Sequence, residues 1–303
     1  MMIKTNLKNI YAITKTAFKK WWSKDPFKES AVIAYYAIFS MPGLLVVIVS
    51  VAGYFFGQEA VNGQITAQIT STMGADTAQQ IQDIIAKGTE SKNSLWATII
   101  GVITILVGAT GVFVELQKAL NIIWKVKAKP RRAVFTVIRT RLFSFGLILS
   151  IGFLLLISLT ITTIIAIMSE WVMNHWPNIV LIIFYALNFI ISFGVVMLLF
   201  ALLFKILPDA KIQWKHLWLG SIITTLLFIL GKTAIGFYLS KTNPGSAYGA
   251  AGSIVLILLW VSYSSMIFFY GAEFIRAYAD YFTGKVSPTE VAVKTTDKED
   301  TKH

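Results

Sequence analysis

Charged side chains stand inside long apolar stretches of this sequence, where an ionised group is costly and is retained only with a partner or a function. Glu115 and Lys118 share one stretch, Lys232 lies in a later one, and Glu273 lies near the end of the last. Each is a candidate for binding a cation, a proton or a polar headgroup of a substrate. The alternative is structural. In that case Glu115 pairs with Lys118 on one helix face, Glu273 pairs with Arg276, and the lysines extend toward water.

A second group of candidates surrounds a Ser-Met-Pro-Gly sequence in the first apolar stretch. Pro42 removes one intrahelical hydrogen bond, so we expect the helix to kink or break near Ser40. Broken helices line substrate sites in many transporters, and Tyr35 and Tyr36 would lie just below the break, at a depth similar to that of Glu115. A kink satisfied by neighbouring helices is the alternative.

Small residues dominate the segment 246–253, which follows an Asn-Pro-Gly turn and contains Tyr248. Small side chains let another helix approach closely, so packing is one interpretation of this segment. A hinge or gate that places Tyr248 at the substrate is the other.

Enzyme chemistry finds little support. The chain has no Cys, and its three His residues, His175, His216 and His303, are far apart in sequence. A zinc site needs clustered ligands, and neither a phosphate-binding loop nor a nucleophile elbow is present. We therefore expect a protein that is not an enzyme and that binds no metal and no cofactor.

The elements that must position these residues are membrane helices. Hydrophobic residues make up 56% of the chain and charged residues 14%, whereas soluble domains have about 45–50% and about 25%. Each apolar stretch exceeds the ~20 residues that cross a bilayer. We predict an all-α bundle over residues 31–275, with six spans at about 31–56, 95–123, 142–168, 178–206, 217–239 and 250–275.

The distribution of Lys and Arg predicts the orientation. Most of the 27 basic residues lie in the segment 1–30, the loop 124–141 and the tail 276–303, which places both termini in the cytoplasm. This bias accounts for the basic charge without a nucleic-acid partner. We expect an amphipathic helix within 1–30, either in the membrane interface or packed on the protein. We also expect one or two amphipathic helices in the outer segment 57–94, where apolar residues recur at helical spacing, namely Val61, Ile65, Ile69, Ile81 and Ile85. We expect disorder in the tail from residue 286.

Four stretches of the chain resemble the YihY/BrkB family. They are SAVIAYYAIFSMPGLL from Ser30, GVFVELQKALNIIW ending at Trp124, LPDAKIQWKHLWLG from Leu207, and SAYGAAGSIVLILLWVSYSSMIFFYGAEF from Ser246. The resemblance implies a bacterial inner-membrane protein with six spans and a role in envelope transport, including that of lipids. Some members carry the labels virulence factor or ribonuclease BN, but the scattered histidines argue against the ribonuclease.

These observations lead to two alternatives. The first is a permease or flippase-like transporter of a lipid-related or amphiphilic envelope solute, with membrane lipids as partners. The second is a non-transporting scaffold for envelope assembly. The sequence leaves a homo-oligomer open.

Overall fold

The computed structural model describes residues 7–73, 75–90, 111–128, 179–242, 251–282, 286–290 and 292–295. The helices within these ranges are α1 (Leu7–Trp22), α2 (Pro26–Phe56), α3 (Gln58–Met73), α4 (Ala75–Glu90), α5 (111–124), α6 (Ile179–Ile206), α7 (Trp214–Thr242) and α8 (Gly252–Phe282). Four short strands accompany them: β1 (Val126–Ala128), β2 (Ala210–Lys211), β3 (Ser287–Pro288) and β4 (Ala292–Lys294).

Three helices of the described part are long and apolar enough to cross a bilayer. Their spanning segments are Ala186–Ile206, Trp214–Tyr238 and Gly252–Phe282. They coincide with the last three predicted spans, and α2 covers the first predicted span as one helix. The prediction of a helical membrane protein is therefore confirmed. The third predicted span and most of the second lie outside the described residues, so the six-span count and the orientation stay predictions.

Helix α8 is the central element of the described bundle, because it packs against α1, α2 and α7. Phe268 on α8 stacks on Phe204 of α6, with ring centroids 4.8 Å apart. Leu120 of α5 and Ile275 of α8 are fully buried in the same cluster. Lipid chains are as apolar as these side chains, so close van der Waals packing holds helices together within a bilayer.

The helix α2 runs without interruption from Pro26 to Phe56. The predicted break at Pro42 therefore does not occur. A kink at this position stays a prediction. A proline removes only one backbone donor, whereas a break within hydrocarbon would leave several peptide groups without partners.

The segment between the first and second predicted spans contains two helices, α3 and α4. The chain enters α3 through Gly57, whose φ of 86° suits a residue without a Cβ. Val61, Ile81 and Ile85 are buried against Val49 of α2. The apolar residues read from the sequence therefore form the face that packs against the bundle, and α4 also reaches α8.

Helix α1 packs on the bundle through one face and exposes another. Ile13 and Ala17 are buried against Phe274 of α8, which is the packed arrangement considered for this segment. Phe18 and Trp22 remain exposed on another face. This second face has the aromatic character of a helix at the membrane interface.

Two small sheets accompany the helical bundle and correct the expected disorder of the tail between residues 287 and 294. Strand β4 pairs antiparallel with β1, with Lys127 opposite Val293, and β3 pairs antiparallel with β2, with Ala210 opposite Pro288. Ala292 is buried in the main cluster. The tail is polar on average, but its few apolar residues pack on the loops that follow α5 and α6. Residues 296–303 lie outside the described part.

Candidate functional site

A cavity of about 50 Å³ lies between the α1–α2 connection, the end of α5 and the last turns of α8. This volume suits about three to four water-sized groups. Ile122 is 55% exposed, so the cavity is open to its surroundings on that side. The lining residues are Trp21, Lys24, Pro26, Glu29, Ala119, Ile122, Ile123, Phe269 and Glu273.

A buried ion pair forms the polar wall of this cavity. The Lys24 Nζ lies 2.6 Å from Oε1 of Glu273, and the two side chains are 31% and 1% exposed. At this distance the Lys24 ammonium occupies Oε1 and hydrogen-bonds to Glu273, whereas Oε2 has no hydrogen-bond donor among the described residues. A buried carboxylate is retained only with compensation. Here Lys24 compensates its charge and leaves Oε2 without a donor.

Burial lowers the pKa of the Lys24 ammonium below its ordinary value. The carboxylate of Glu273 acts against this change because it favours the charged form, whereas Arg276 and Lys20 add to the lowering. Desolvation is the largest of these influences. The charged form of Lys24 is therefore less favoured at the cavity than that of a lysine in water.

The ion pair predicted between Glu273 and Arg276 is not the one that forms. Arg276 donates a hydrogen bond to the Ile123 carbonyl, and its Nε lies 3.7 Å from Oδ2 of Asp280. Helical spacing brings Arg276 within reach of Glu273, but the turn between α1 and α2 places Lys24 closer. Trp21 secures that turn by donating from Nε1 to the Met266 carbonyl at 3.1 Å.

The ion pair predicted between Glu115 and Lys118 is present, with 2.7 Å between Nζ and Oε1. Lys118 is largely exposed, and Glu115 is mostly buried. Ile122 follows at the next helical spacing, so the same face of α5 carries the pair and a wall of the cavity. Glu115 precedes Ile122 by about 10 Å along the axis of α5, at ~1.5 Å per residue.

Tyr36 packs against α5 at Gly111. A Cβ built on Gly111 would lie 2.6 Å from Cδ1 of Tyr36, so only a glycine admits the ring. Gly111 is one turn from Glu115, and the structure thus brings the predicted residues Tyr36 and Glu115 to neighbouring turns of the α2–α5 contact. The ring of Tyr35 is exposed and contacts Phe39, with centroids 4.9 Å apart.

The other predicted site residues are not gathered here. Ser40 is buried and donates from Oγ to the Ala37 carbonyl at 3.0 Å. Lys232 is partly buried on α7 and forms no ion pair with a described residue. The side chain of Pro42 and the whole of Tyr248 lie outside the described part. Any substrate role of these residues stays a prediction.

Asp209 is a polar centre that sequence reasoning missed. Asn121 donates from Nδ2 to Oδ2 of Asp209 at 2.9 Å, and accepts from the Asp209 backbone N–H at 2.8 Å. The Thr289 N–H donates to the Asp209 carbonyl at 2.9 Å. Three distant segments therefore meet here: α5, the loop after α6 and the tail. The available signal was that Asn121 and Asp209 both lie in the stretches of the family resemblance.

Metal chemistry has no ligand set in the described ranges, where His, Asp and Glu side chains do not gather in groups of three. The cavity contributes two carboxylates and one ammonium. Such a set can bind a cationic or zwitterionic group through charge and hydrogen bonds.

Comparison with known proteins places the chain among membrane proteins. The family described as Virulence factor BrkB matches residues 17–295. A UPF0761 membrane protein of Saccharophagus degradans is 27% identical over 264 residues, which cover 87% of this chain and 58% of the relative. One from Pseudomonas aeruginosa is 28% identical over 251 residues, with 82% and 58% covered. The chain thus spans less than two thirds of the length of these curated relatives. No solved structure matches it.

Proposed function

This chain belongs to the virulence factor BrkB family of membrane proteins, and we propose that it transports a lipid-related amphiphile, with the Lys24–Glu273 cavity as the site of the polar headgroup. The observation that supports this most is the buried carboxylate of Glu273, whose Oε2 lacks a hydrogen-bond donor among the described residues at the wall of the cavity. Carboxylates buried next to spanning helices are costly, and such groups commonly mark substrate pathways.

A second ion pair extends the polar surface beyond the cavity. Glu115 and Lys118 lie on the face of α5 that also carries Ile122, and Ile122 lines the cavity. A headgroup that leaves the cavity along this face would meet a new pair of opposite charges within about 10 Å. Polar partners at successive depths reduce the cost of moving a headgroup through hydrocarbon.

The amphiphile is proposed to come from the membrane itself. The exposed aromatic rings of Phe18 and Trp22 give α1 the character of a helix that lies at the interface. The ring of Trp22 lies 6.0 Å from that of Trp21, which lines the cavity, so this aromatic face adjoins the cavity. Ile122, exposed at the cavity wall, offers contact to an acyl chain.

The full chain reconstituted in vesicles tests the proposal. The probe is a phospholipid with a fluorescent NBD group on its acyl chain and a free ammonium on its headgroup, and external dithionite bleaches only the outer leaflet. Transport exposes the inner pool, so we expect bleaching beyond the roughly half that protein-free vesicles show, without or with an imposed proton gradient. Lys24→Met and Glu273→Gln should slow it. A rate equal to that of protein-free vesicles in every condition contradicts transport.

A non-transporting scaffold is the second candidate function. It is favoured by one observation, namely that Glu115 is already paired with Lys118 and so has its charge compensated without a substrate. Under this function, the Lys24 and Glu273 substitutions would lower stability and leave lipid movement at the background rate.

A further inference from the structure

We infer that the cavity binds the primary ammonium of an ethanolamine-type phospholipid headgroup, with Glu273 as the acceptor and Lys24 as the contact for the phosphate. The inference rests on the proposed function and names the substrate class of the same site. It is carried by a fully buried carboxylate, whose Oε2 has no hydrogen-bond donor among the described residues, next to a lysine at the wall of one small cavity.

The charges of the cavity favour a cationic group. Glu29 and Glu273 bring two carboxylates, and Lys24 brings one ammonium, so the formal charge of the lining is negative. Arg276 and Lys20 also act on Lys24 through their charges, but neither lines the cavity, and both face the carboxylate of Asp280. A cation that enters restores neutrality and meets two acceptors.

Hydrogen bonding favours a primary ammonium over a methylated one. Oε2 of Glu273 lacks a donor among the described residues, and Oε1 is occupied by the Lys24 ammonium. A primary ammonium carries several N–H donors and makes charge-assisted hydrogen bonds to carboxylates. A trimethylammonium carries no N–H, so it would leave Oε2 of Glu273 unsatisfied.

Size leads to the same choice. A cavity of about 50 Å³ holds about three to four groups the size of water. The aminoethoxy end of an ethanolamine headgroup has about four non-hydrogen atoms, and a trimethylammonium headgroup adds about three more. Trp21 and Phe269 supply apolar walls for the methylene groups.

Lys24 can serve the phosphate by turning its ammonium outward. Its Nζ is buried beside Glu273, but its side chain is 31% exposed, so a change of rotamer carries the ammonium toward the mouth. Once the ligand ammonium neutralises Glu273, the Lys24 ammonium is released to contact a phosphate at the mouth. The ligand therefore replaces one internal ion pair with two intermolecular contacts.

The experiment measures lipid binding to the purified, delipidated full chain in detergent. The probes are phosphatidylethanolamine, its trimethylated analogue phosphatidylcholine, and phosphatidylglycerol, each with the same acyl chains. Native mass spectrometry gives the dissociation constants. We expect phosphatidylethanolamine to bind about tenfold more tightly than either of the others, the ratio that one charge-assisted contact supplies.

Substitution assigns the selectivity to the cavity. Glu273→Gln should bring the ratio of the dissociation constants to about one. Lys24→Met should weaken the binding of both phosphatidylethanolamine and phosphatidylcholine while preserving their order. Glu59→Gln, an exposed carboxylate on α3, serves as the matched control and should keep the tenfold ratio. If Glu273→Gln does not fold, wild-type selectivity and the milder Glu273→Asp carry the test.

Equal binding of the three lipids, or a preference that survives Glu273→Gln, overturns the inference. Soluble phosphoethanolamine separates the two sources of the headgroup: displacement of the lipid at similar concentrations assigns the site to the free headgroup, and failure to displace assigns it to the lipid. Selective binding without transport in the vesicle assay contradicts the proposed transport and supports the headgroup site. Transport without selective binding supports the proposed transport and contradicts the headgroup site.

Discussion

Glu273, buried in the last turns of α8, pairs with Lys24 of the α1–α2 turn at 2.6 Å, although Arg276 stands three residues away on its own helix. The pair joins the amphipathic N-terminal segment to the central helix. It also forms the polar wall of the cavity. One contact therefore serves both the docking of α1 and the proposed binding of a headgroup, and its variants must separate the two.

The first prediction concerns the stability of this ion pair. Glu273→Gln leaves the buried Lys24 ammonium without its partner, which for buried pairs costs about 3–5 kcal/mol. The Lys24 side chain is partly exposed and its ammonium can turn toward water, so we expect about 1–3 kcal/mol. The double variant Lys24→Met with Glu273→Gln should recover most of this loss, since neither charge is left alone. Unfolding followed by tryptophan fluorescence in detergent measures it.

A matched cycle on the exposed pair of Lys20 and Asp280 is the control. These groups lie 3.6 Å apart and both are well exposed. Their coupling should stay below about 1 kcal/mol, as for other surface pairs. Strictly additive losses at Lys24 and Glu273 would show that the buried pair contributes no coupling.

The second prediction concerns pH. Burial lowers the pKa of Lys24 in the folded protein below its ordinary value of 10.5. Between the lowered pKa and 10.5 the unfolded chain binds more protons than the folded one, so the free energy of unfolding rises with pH across this window. That gain is lost as pH falls through the folded pKa. Lys24→Met should show a shallower rise in unfolding measurements from neutral to alkaline pH, and identical slopes would refute the assignment.

Local patterns were predictable from the sequence because they depend on spacing alone. The long apolar stretches led to α6, α7 and α8, and the spacing of Val61, Ile81 and Ile85 led to the packed face of α3 and α4. The Glu115–Lys118 pair followed from its helical spacing. In each case the partners lie within a few turns of one another.

Contacts between distant segments were not predictable in this way. Lys24 is one of several lysines in the first thirty residues, and no spacing distinguishes it as the partner of Glu273. Strand β4 lies in a tail whose polar composition is typical of a disordered segment, and strand β1 supplies its backbone partners. Burial and pairing of this kind depend on the tertiary arrangement.

The third prediction concerns the close contact between α2 and α5. A Cβ at Gly111 would lie 2.6 Å from the Tyr36 ring, so Gly111→Ala should destabilise the protein by about 1–3 kcal/mol through overpacking. The added substitution Tyr36→Leu should recover part of the loss. Gly63→Ala on α3 is the matched control, because no atom lies within 4 Å of its Cβ position, and it should be neutral or stabilising. Equal effects at the two glycines would contradict the contact.

The fourth prediction concerns the attachment of the tail at Asp209. Asn121 satisfies both the carboxylate and the backbone N–H of Asp209, whose carbonyl in turn accepts from Thr289. Asn121→Ala removes the first two bonds and leaves a partly buried carboxylate with fewer donors, a change that costs about 1–3 kcal/mol. Because Asp209 holds the tail through a backbone bond, its displacement should release β3 and β4.

Limited proteolysis measures this release. Trypsin cleavage after Lys294, which is exposed on β4, should proceed several-fold faster in Asn121→Ala than in the wild type when followed by mass spectrometry. Gln117→Ala is the control, because its bond to Asp209 is longer, at 3.3 Å, and it does not touch the backbone. If the contacts of Asp209 only attach the tail, Asn121→Ala should leave the binding ratios of the three lipids unchanged. Unchanged cleavage at Lys294 would show that strand pairing with β1 holds the tail without Asp209.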